Sequence, residues 1–105
     1  MTATTEPSAS VRPGDTPGAV VTGTIRYWAA AKAEAGIAEE LYRAASLAEA
    51  LAQVRARHAE RPAFVRLLGI CSYLVDSEPV GGRDHATVEL TEGGTVEVLP
   101  PFAGG

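Results

Sequence analysis

Apolar and polar positions alternate along residues 20–28. Val21, Ile25 and Tyr27 fall on one face; Thr22, Thr24, Arg26 and Trp28 fall on the other, the two-residue period of a strand. Ala29 to Gly36 is Ala-rich and reads as a short connection of about one helical turn. A weaker alternation follows from Ile37 to Ala44, with Glu39, Leu41 and Arg43 set against Ala38, Glu40 and Tyr42. This predicts a second strand, paired with the first as a hairpin. The period then changes. Leu47, Leu51, Val54 and His58 recur at i, i+4, i+7 and i+11, one apolar stripe on a helix running to about Ala59. Ser46-Leu47-Ala48-Glu49 opens it as a capping box, in which the serine hydroxyl accepts from the Glu49 N–H and the glutamate reaches back to Ser46.

Pro62 stops or restarts the helix, and Phe64, Leu67 and Leu68 predict a further helical turn closed by Gly69. Ile70 to Asp76 is a strand, with Cys71, Tyr73 and Val75 against Ile70, Ser72 and Leu74; its near-continuous apolarity suggests the interior of a sheet. Ser77 to His85 is a polar loop, and Thr87 to Leu90 is short and β-prone. Thr91-Glu92-Gly93-Gly94 is a turn, and Thr95 to Leu99 is the last strand with Val96 and Val98 inward. A single main helix needs one sheet face to bury its stripe, which gives an α+β domain of two layers. Residues 1–19, rich in Thr, Ser, Pro, Ala and Gly without periodicity, are expected to be a disordered tail. Residues 20–99 form the domain and 100–105 a flexible C-terminal arm.

Composition narrows the function classes. The 105 residues carry a formal net charge of −4, with no clustered Lys and Arg to meet a phosphate backbone. No apolar run approaches the ~20 residues of a membrane span, and no basic start with an apolar stretch marks a secretory signal. The expected compartment is the cytoplasm, where one cysteine, Cys71, builds no disulfide framework. From Asp76 to Glu97 six acids face one Arg83, a solvated acidic face or a surface that steers toward a basic partner.

The body of the chain offers little chemistry. Cys71 has no basic neighbour and sits in a strand, the usual setting of a small buried hydrophobe. His58 continues the helix stripe, His85 lies in a loop, and no Cys/His/acid spacing matches a metal site. There is no nucleophile elbow, phosphate loop or dinucleotide fingerprint. Two positions break the in/out pattern: Trp28 and Leu99 are apolar on faces otherwise polar. Both are expected to contact a partner, because tryptophan in particular is enriched at binding hot spots.

The remaining candidate is the end of the sequence, Leu99-Pro100-Pro101-Phe102-Ala103-Gly104-Gly105. With glycine at about 7% of average usage, a chance Gly-Gly end occurs in roughly one chain in two hundred. The prolines make the arm stiff at its root, and the glycines leave its tip without a Cβ, so that it fits a channel too narrow for other residues. A terminal carboxyl of pKa about 3.3–3.7 is ionised and a poor electrophile. It becomes an acyl donor only after activation, for instance as an acyl-adenylate.

The segment IRYWAAAKAEAG, the capped helix, the strand CSYLVD and above all GGTVEVLPPFAGG resemble the MoaD/ThiS sulfur-carrier family, in particular its molybdopterin synthase small-subunit branch. The resemblance spans about residues 20–105; the N-terminal tail and the extra residues around Ser77–His85 depart from the family pattern. It implies a ubiquitin-like β-grasp fold, with a mixed sheet of four to five strands packed on one main helix. It also implies a carrier without an active site of its own. Gly105 matches the position that an E1-like adenylating enzyme activates with ATP and that becomes a thiocarboxylate; Gly104 matches the supple residue before it. No cofactor or metal is expected on the chain itself, since the ATP is used by the activating enzyme. The implied acceptor complex is the large subunit of molybdopterin synthase, contacted through Trp28, Leu99, Pro100, Pro101, Phe102 and Ala103. Sulfur transfer for thiamine thiazole or cysteine synthesis, a protein modifier, and a plain ubiquitin-like binding module are the alternatives. The single lysine, Lys32, would give lysine-linked chains one site.

Overall fold

The computed structural model describes residues 18–101. The expected tail over residues 1–19 thus lies almost wholly outside the described residues, as do Phe102, Ala103, Gly104 and Gly105 of the C-terminal arm. Five strands form one mixed sheet in the order β2-β1-β5-β3-β4. They are β1 (Val21–Tyr27), β2 (Glu39–Ala44), β3 (Ser72–Val75), β4 (Glu78–Pro79) and β5 (Thr95–Leu99). The two central strands, β1 and β5, run parallel, with Ile25 beside Val96 and Tyr27 beside Val98. The β1–β2, β5–β3 and β3–β4 pairs are antiparallel. The helices are α1 (Ala29–Ala35), α2 (Leu47–Arg57) and α3 (Pro62–Leu68).

The inward faces follow the alternation in the sequence. Val21, Ile25, Tyr27, Tyr42, Ala44, Tyr73, Val75, Val96 and Val98 are buried, and α2 covers them with Leu47, Ala50, Leu51 and Val54. Burying one such aliphatic side chain is worth about 1.5–3 kcal/mol, so this layer is the main source of stability. The N-terminus of α2 is capped by Ser46, whose Oγ accepts from the Glu49 N–H at 3.2 Å. The return bond differs from expectation: Glu49 Oε1 accepts from the N–H of Ala45, one residue before the cap, at 2.7 Å.

Three further expectations change. The link over Ala29–Gly36 is a helix of two turns, not one, because Ala31 and Ala35 bury one face while Gly36 at φ 80° closes it in the left-handed region. β1 and β2 pair antiparallel, as expected, across this longer helical connection. The strand predicted over Ile70–Asp76 is shorter and faces solvent on one side. Ile70 lies outside it at 64% exposure, and Leu74 is half-buried. Thr87–Leu90 forms no regular strand. A 3-10 turn at His85–Thr87 takes in its first residue, and Ser46 bridges Glu89 while Val88 and Leu90 plug the core beside α2. No helix among the described residues is long and apolar enough to cross a membrane.

Candidate functional site

The site is built around the end of the sheet at which β1 and β5 finish together. Because they are parallel and in register, Trp28 and Leu99 emerge side by side, and the Trp28 N–H donates to the Val98 carbonyl at 3.2 Å. Trp28 is 42% exposed. Its indole Nε1–H donates to Glu97 Oε1 at 3.1 Å, and the Arg26 guanidinium lies 5.5 Å from its ring centroid. These contacts hold the ring on the solvent side of the sheet, outside the core. Such a cation–ring contact at an exposed position is worth about 0.5–1 kcal/mol. Leu99 is half-buried, Pro100 is half-buried and Pro101 is exposed. Phe102, Ala103, Gly104 and Gly105 lie outside the described residues.

The same solvent face carries apolar residues that the alternation alone did not single out. Leu74 sits opposite Glu97, and Ser72 opposite Leu99. Leu41 of β2, beside Thr24, is 68% exposed. The available signal was weak: Leu41 is flanked by Glu39 and Arg43 on the polar parity of β2, the same anomaly that marked Trp28 and Leu99.

The foot of β5 is fixed by polar contacts. Asp76 accepts from the Thr95 N–H at 2.9 Å and from the Thr91 hydroxyl at 2.7 Å. Glu92 takes both the N–H and the hydroxyl of Thr22, at 3.0 and 2.8 Å. Those two bonds hold its carboxyl below the usual carboxylate range. Tyr42 donates to the Thr91 carbonyl at 2.6 Å. Gly23 and Gly94 leave room for that hydroxyl: a Cβ on Gly23 would collide with the Tyr42 ring and stand 2.5 Å from the Gly94 carbonyl oxygen. The strand that points at the C-terminal arm is therefore anchored at its far end.

The other titratable groups serve the core. Glu40 accepts from the Tyr27 hydroxyl, from Arg57 Nη1 at 2.7 Å and pairs with His58 Nε2 at 2.8 Å. Burial opposes its charge, but the bonds from Tyr27, His58 and Arg57 outweigh that and hold its carboxyl below the usual range. Burial and the Glu40 carboxylate push the Tyr27 phenol upward, so it stays a donor. Phe64 meets the rings of Tyr27 and His58 edge-on, at 5.4 and 4.9 Å. Cys71 is half-buried, its Sγ faces the Leu67 carbonyl at 3.2 Å, and burial pushes its thiol up, away from nucleophile behaviour. No group of three metal-ligating side chains occurs among the described residues.

The fold has close counterparts. The small archaeal modifier protein 1 from Methanosarcina acetivorans superposes with a TM-score of 0.68 at 16% identity, over 84% of this chain and all of that one. A putative molybdopterin converting factor, subunit 1, from Pyrococcus furiosus gives 0.61 at 19% identity, over 77% of this chain and 98% of that one. The complex of subunits 1 and 2 of the molybdopterin-converting factor from Helicobacter pylori contains a chain matching at 0.55 and 21% identity, over 81% of this chain and 100% of that one. At these identities the likeness establishes the ubiquitin-like β-grasp fold. No curated protein sequence matches the chain. The ThiS family model does, from Ile25 in β1 to Gly105. That span takes in nearly the whole sheet, the three helices and the Gly-Gly end, and on it the chain belongs to the ThiS family.

Proposed function

We propose that this protein is a sulfur carrier whose C-terminal glycine, Gly105, is adenylated and thiocarboxylated to donate sulfur in molybdopterin synthesis. One observation carries the reading: the family match runs through Pro100-Pro101-Phe102-Ala103-Gly104-Gly105 to the end of the sequence. The rigid foot of β5 and the stiff Pro100-Pro101 pair supply a fixed base from which such an arm extends. An ATP-using enzyme joins the Gly105 carboxylate to AMP and releases pyrophosphate. A sulfur donor then displaces AMP to leave the thiocarboxylate. The chain contributes recognition and an unbranched acyl end, and the activating enzyme contributes the chemistry. The exposed Trp28 ring, with Leu99 and Pro100 beside it, is the surface that partners grip.

The acceptor branch rests on two supports. Pro100-Pro101 favours the molybdopterin branch, and two of the similar folds are molybdopterin-converting factor chains, one of them in complex with its subunit 2. The likeness to the archaeal modifier protein keeps protein conjugation as a second reading. Intact mass separates them. Incubation with ATP, a sulfur source and the cognate activating enzyme is expected to add about 16 Da, the exchange of one oxygen for sulfur. Adducts of protein size would assign the chain to the modifiers. No change of mass would leave it a binding module.

A further inference from the structure

The edge strand β2 keeps part of its backbone open. The Tyr27 N–H donates to the Ala38 carbonyl at 2.8 Å. With the register of the pair, this turns the main-chain groups of Glu40, Tyr42 and Ala44 toward β1 and those of Leu41 and Arg43 outward. Beyond Arg43 the protein pairs this edge itself. The Leu90 N–H donates to the Ala45 carbonyl at 3.0 Å, and Ser46 bridges Glu89 antiparallel. Alongside Leu41 and Arg43 no further strand lies among the described residues. Two side chains of α2 stand in for one: Arg57 Nη1 donates to the Leu41 carbonyl at 3.0 Å, and Gln53 Nε2 to the Arg43 carbonyl at 2.8 Å. The N–H groups of Leu41 and Arg43 meet no acceptor among the described residues. Both residues are exposed, Leu41 at 68%.

We propose that this edge takes an extended segment of a partner protein as a further antiparallel strand, with an acid opposite Arg43 and an aliphatic residue opposite Leu41. The main chain supplies the first match. The outward N–H and carbonyl groups of Leu41 and Arg43 are the complement of two alternate residues in an added strand. The Glu89–Leu90 segment already joins the same edge in this way at Ala45 and Ser46. Charge supplies the second. Glu39 pairs with Arg26 at 3.5 Å, Glu40 with Arg57 and His58, and Glu92 with Thr22. Arg43 is left without an ion pair among the described residues. Its side chain and that of Leu41 share the solvent face of the sheet, so the acid and the aliphatic residue fall two positions apart in the partner. Unlike charges directly opposite each other stabilise a pair of strands, and like charges repel. The Arg57 and Gln53 side chains make the edge selective. Their bonds open before a partner's N–H groups reach the two carbonyls, an exchange of exposed bonds of similar strength. A neutral strand gains little by it, whereas an acid adds its pair with Arg43. In a second copy the same edge carries the same arginine and the same two covering side chains.

The test uses the full chain and the probe peptide acetyl-Thr-Glu-Thr-Ile-Thr-amide, in which the Glu faces Arg43 when the Ile faces Leu41. At millimolar peptide the amide NMR signals of Leu41 and Arg43 are expected to move downfield and to exchange more slowly with water. Methylating the peptide nitrogens of the Glu and the Ile, which point at the edge, should abolish both effects. Methylating the central Thr nitrogen, which points away, should preserve them. Lys in place of the peptide Glu, or Arg43→Gln in the protein, should weaken binding about twofold or more. Gln53→Ala uncovers the Arg43 carbonyl and should tighten binding, a direction that loss of a merely structural side chain does not give. Shifts confined to other parts of the sheet, equal binding of the Glu and Lys peptides, or binding that survives methylation at the Glu and the Ile would each overturn the inference. So would concentration-dependent protection of Leu41 and Arg43 in the protein alone, which would make a second copy the occupant.

Discussion

Glu40 shows how much one half-buried carboxylate organises. Its side chain is 13% exposed and receives Tyr27 from β1 together with Arg57 and His58 from the end of α2. It therefore ties an edge strand, a central strand and the main helix at one point. Removing the carboxylate leaves the buried Tyr27 and His58 short of a partner, at about 1–3 kcal/mol, whereas Arg57 is 41% exposed and keeps its bond to the Leu41 carbonyl. Glu40→Ala is expected to lose about that much in denaturant unfolding. The sign of the pH effect follows from its lowered pKa. The charged form is favoured in the folded state, so its stabilisation is fully present above the ordinary carboxylate value of 4.5 and is lost as pH falls through the depressed folded value. Glu40→Gln should flatten the stability profile below about pH 5; a mutant profile as steep as the wild type would remove Glu40 from that role. Gly23 is the steric counterpart. Gly23→Ala drives a methyl into the Tyr42 ring and toward the Gly94 carbonyl, backbone that cannot yield cheaply, and should cost about 2 kcal/mol or more in the same measurement.

Among the elements, legibility in the sequence tracked the source of order. Where burial on one face set the pattern, as in β1, α2 and β5, the alternation of Val21, Ile25 and Tyr27 and the stripe of Leu47, Leu51 and Val54 gave the elements almost to the residue. Where order came from distant partners it did not. The second turn of α1 exists because Ala31 and Ala35 find the core, a contact that a run of alanines does not announce. β4 is two residues held by Leu74 and Val75, and no local period marks so short an element. The candidate site divides the same way. Trp28 and Leu99 stood out as breaks in pattern, whereas their adjacency required the parallel β1–β5 pairing. The polar grip of Asp76 and Glu92 on the turn before β5 spans 15 to 70 residues of sequence. Edges are guarded by similar long-range contacts. On β2 the carbonyls of Leu41 and Arg43 accept from Arg57 at 3.0 Å and from Gln53 at 2.8 Å, and Pro79 shortens the other edge. Such cover blunts edge-to-edge association. At the start of α2, Ser46→Ala removes the cap of Glu49 N–H and should cost about 1 kcal/mol. A loss below a few tenths in chemical denaturation would show that Glu49 alone secures that helix end.

At the scale of the whole molecule, the proposed carrier role rests on what the domain presents. Two features are presented at the same end: the Trp28–Leu99 surface and the arm that begins at Pro100. They make separable predictions. Trp28→Ala removes an exposed ring, a bond to Glu97 and the contact with Arg26, none of them in the core. It should weaken partner binding by about 1–3 kcal/mol in calorimetry, with little change in melting temperature; equal damage to folding would return the ring to a structural role. The arm is tested by length. One residue added after Gly105, or Gly105 deleted, displaces the reacting carbon by about 3.3–3.6 Å. A misplacement of ~1 Å already costs ~100-fold in rate. Both changes should therefore suppress thiocarboxylate formation by at least about 100-fold, while circular dichroism and melting stay as in the wild type, since among the described residues Val98 is the last one buried in the core. Gly104→Ala and Gly105→Ala add only a methyl to the arm and should fall between these extremes. The decisive comparison is the lengthened chain, with its mass checked to exclude trimming. If it gains sulfur as fast as the wild type, the reacting group is not the Gly105 carboxyl, and the domain must be reassigned from acyl carrier to docking module.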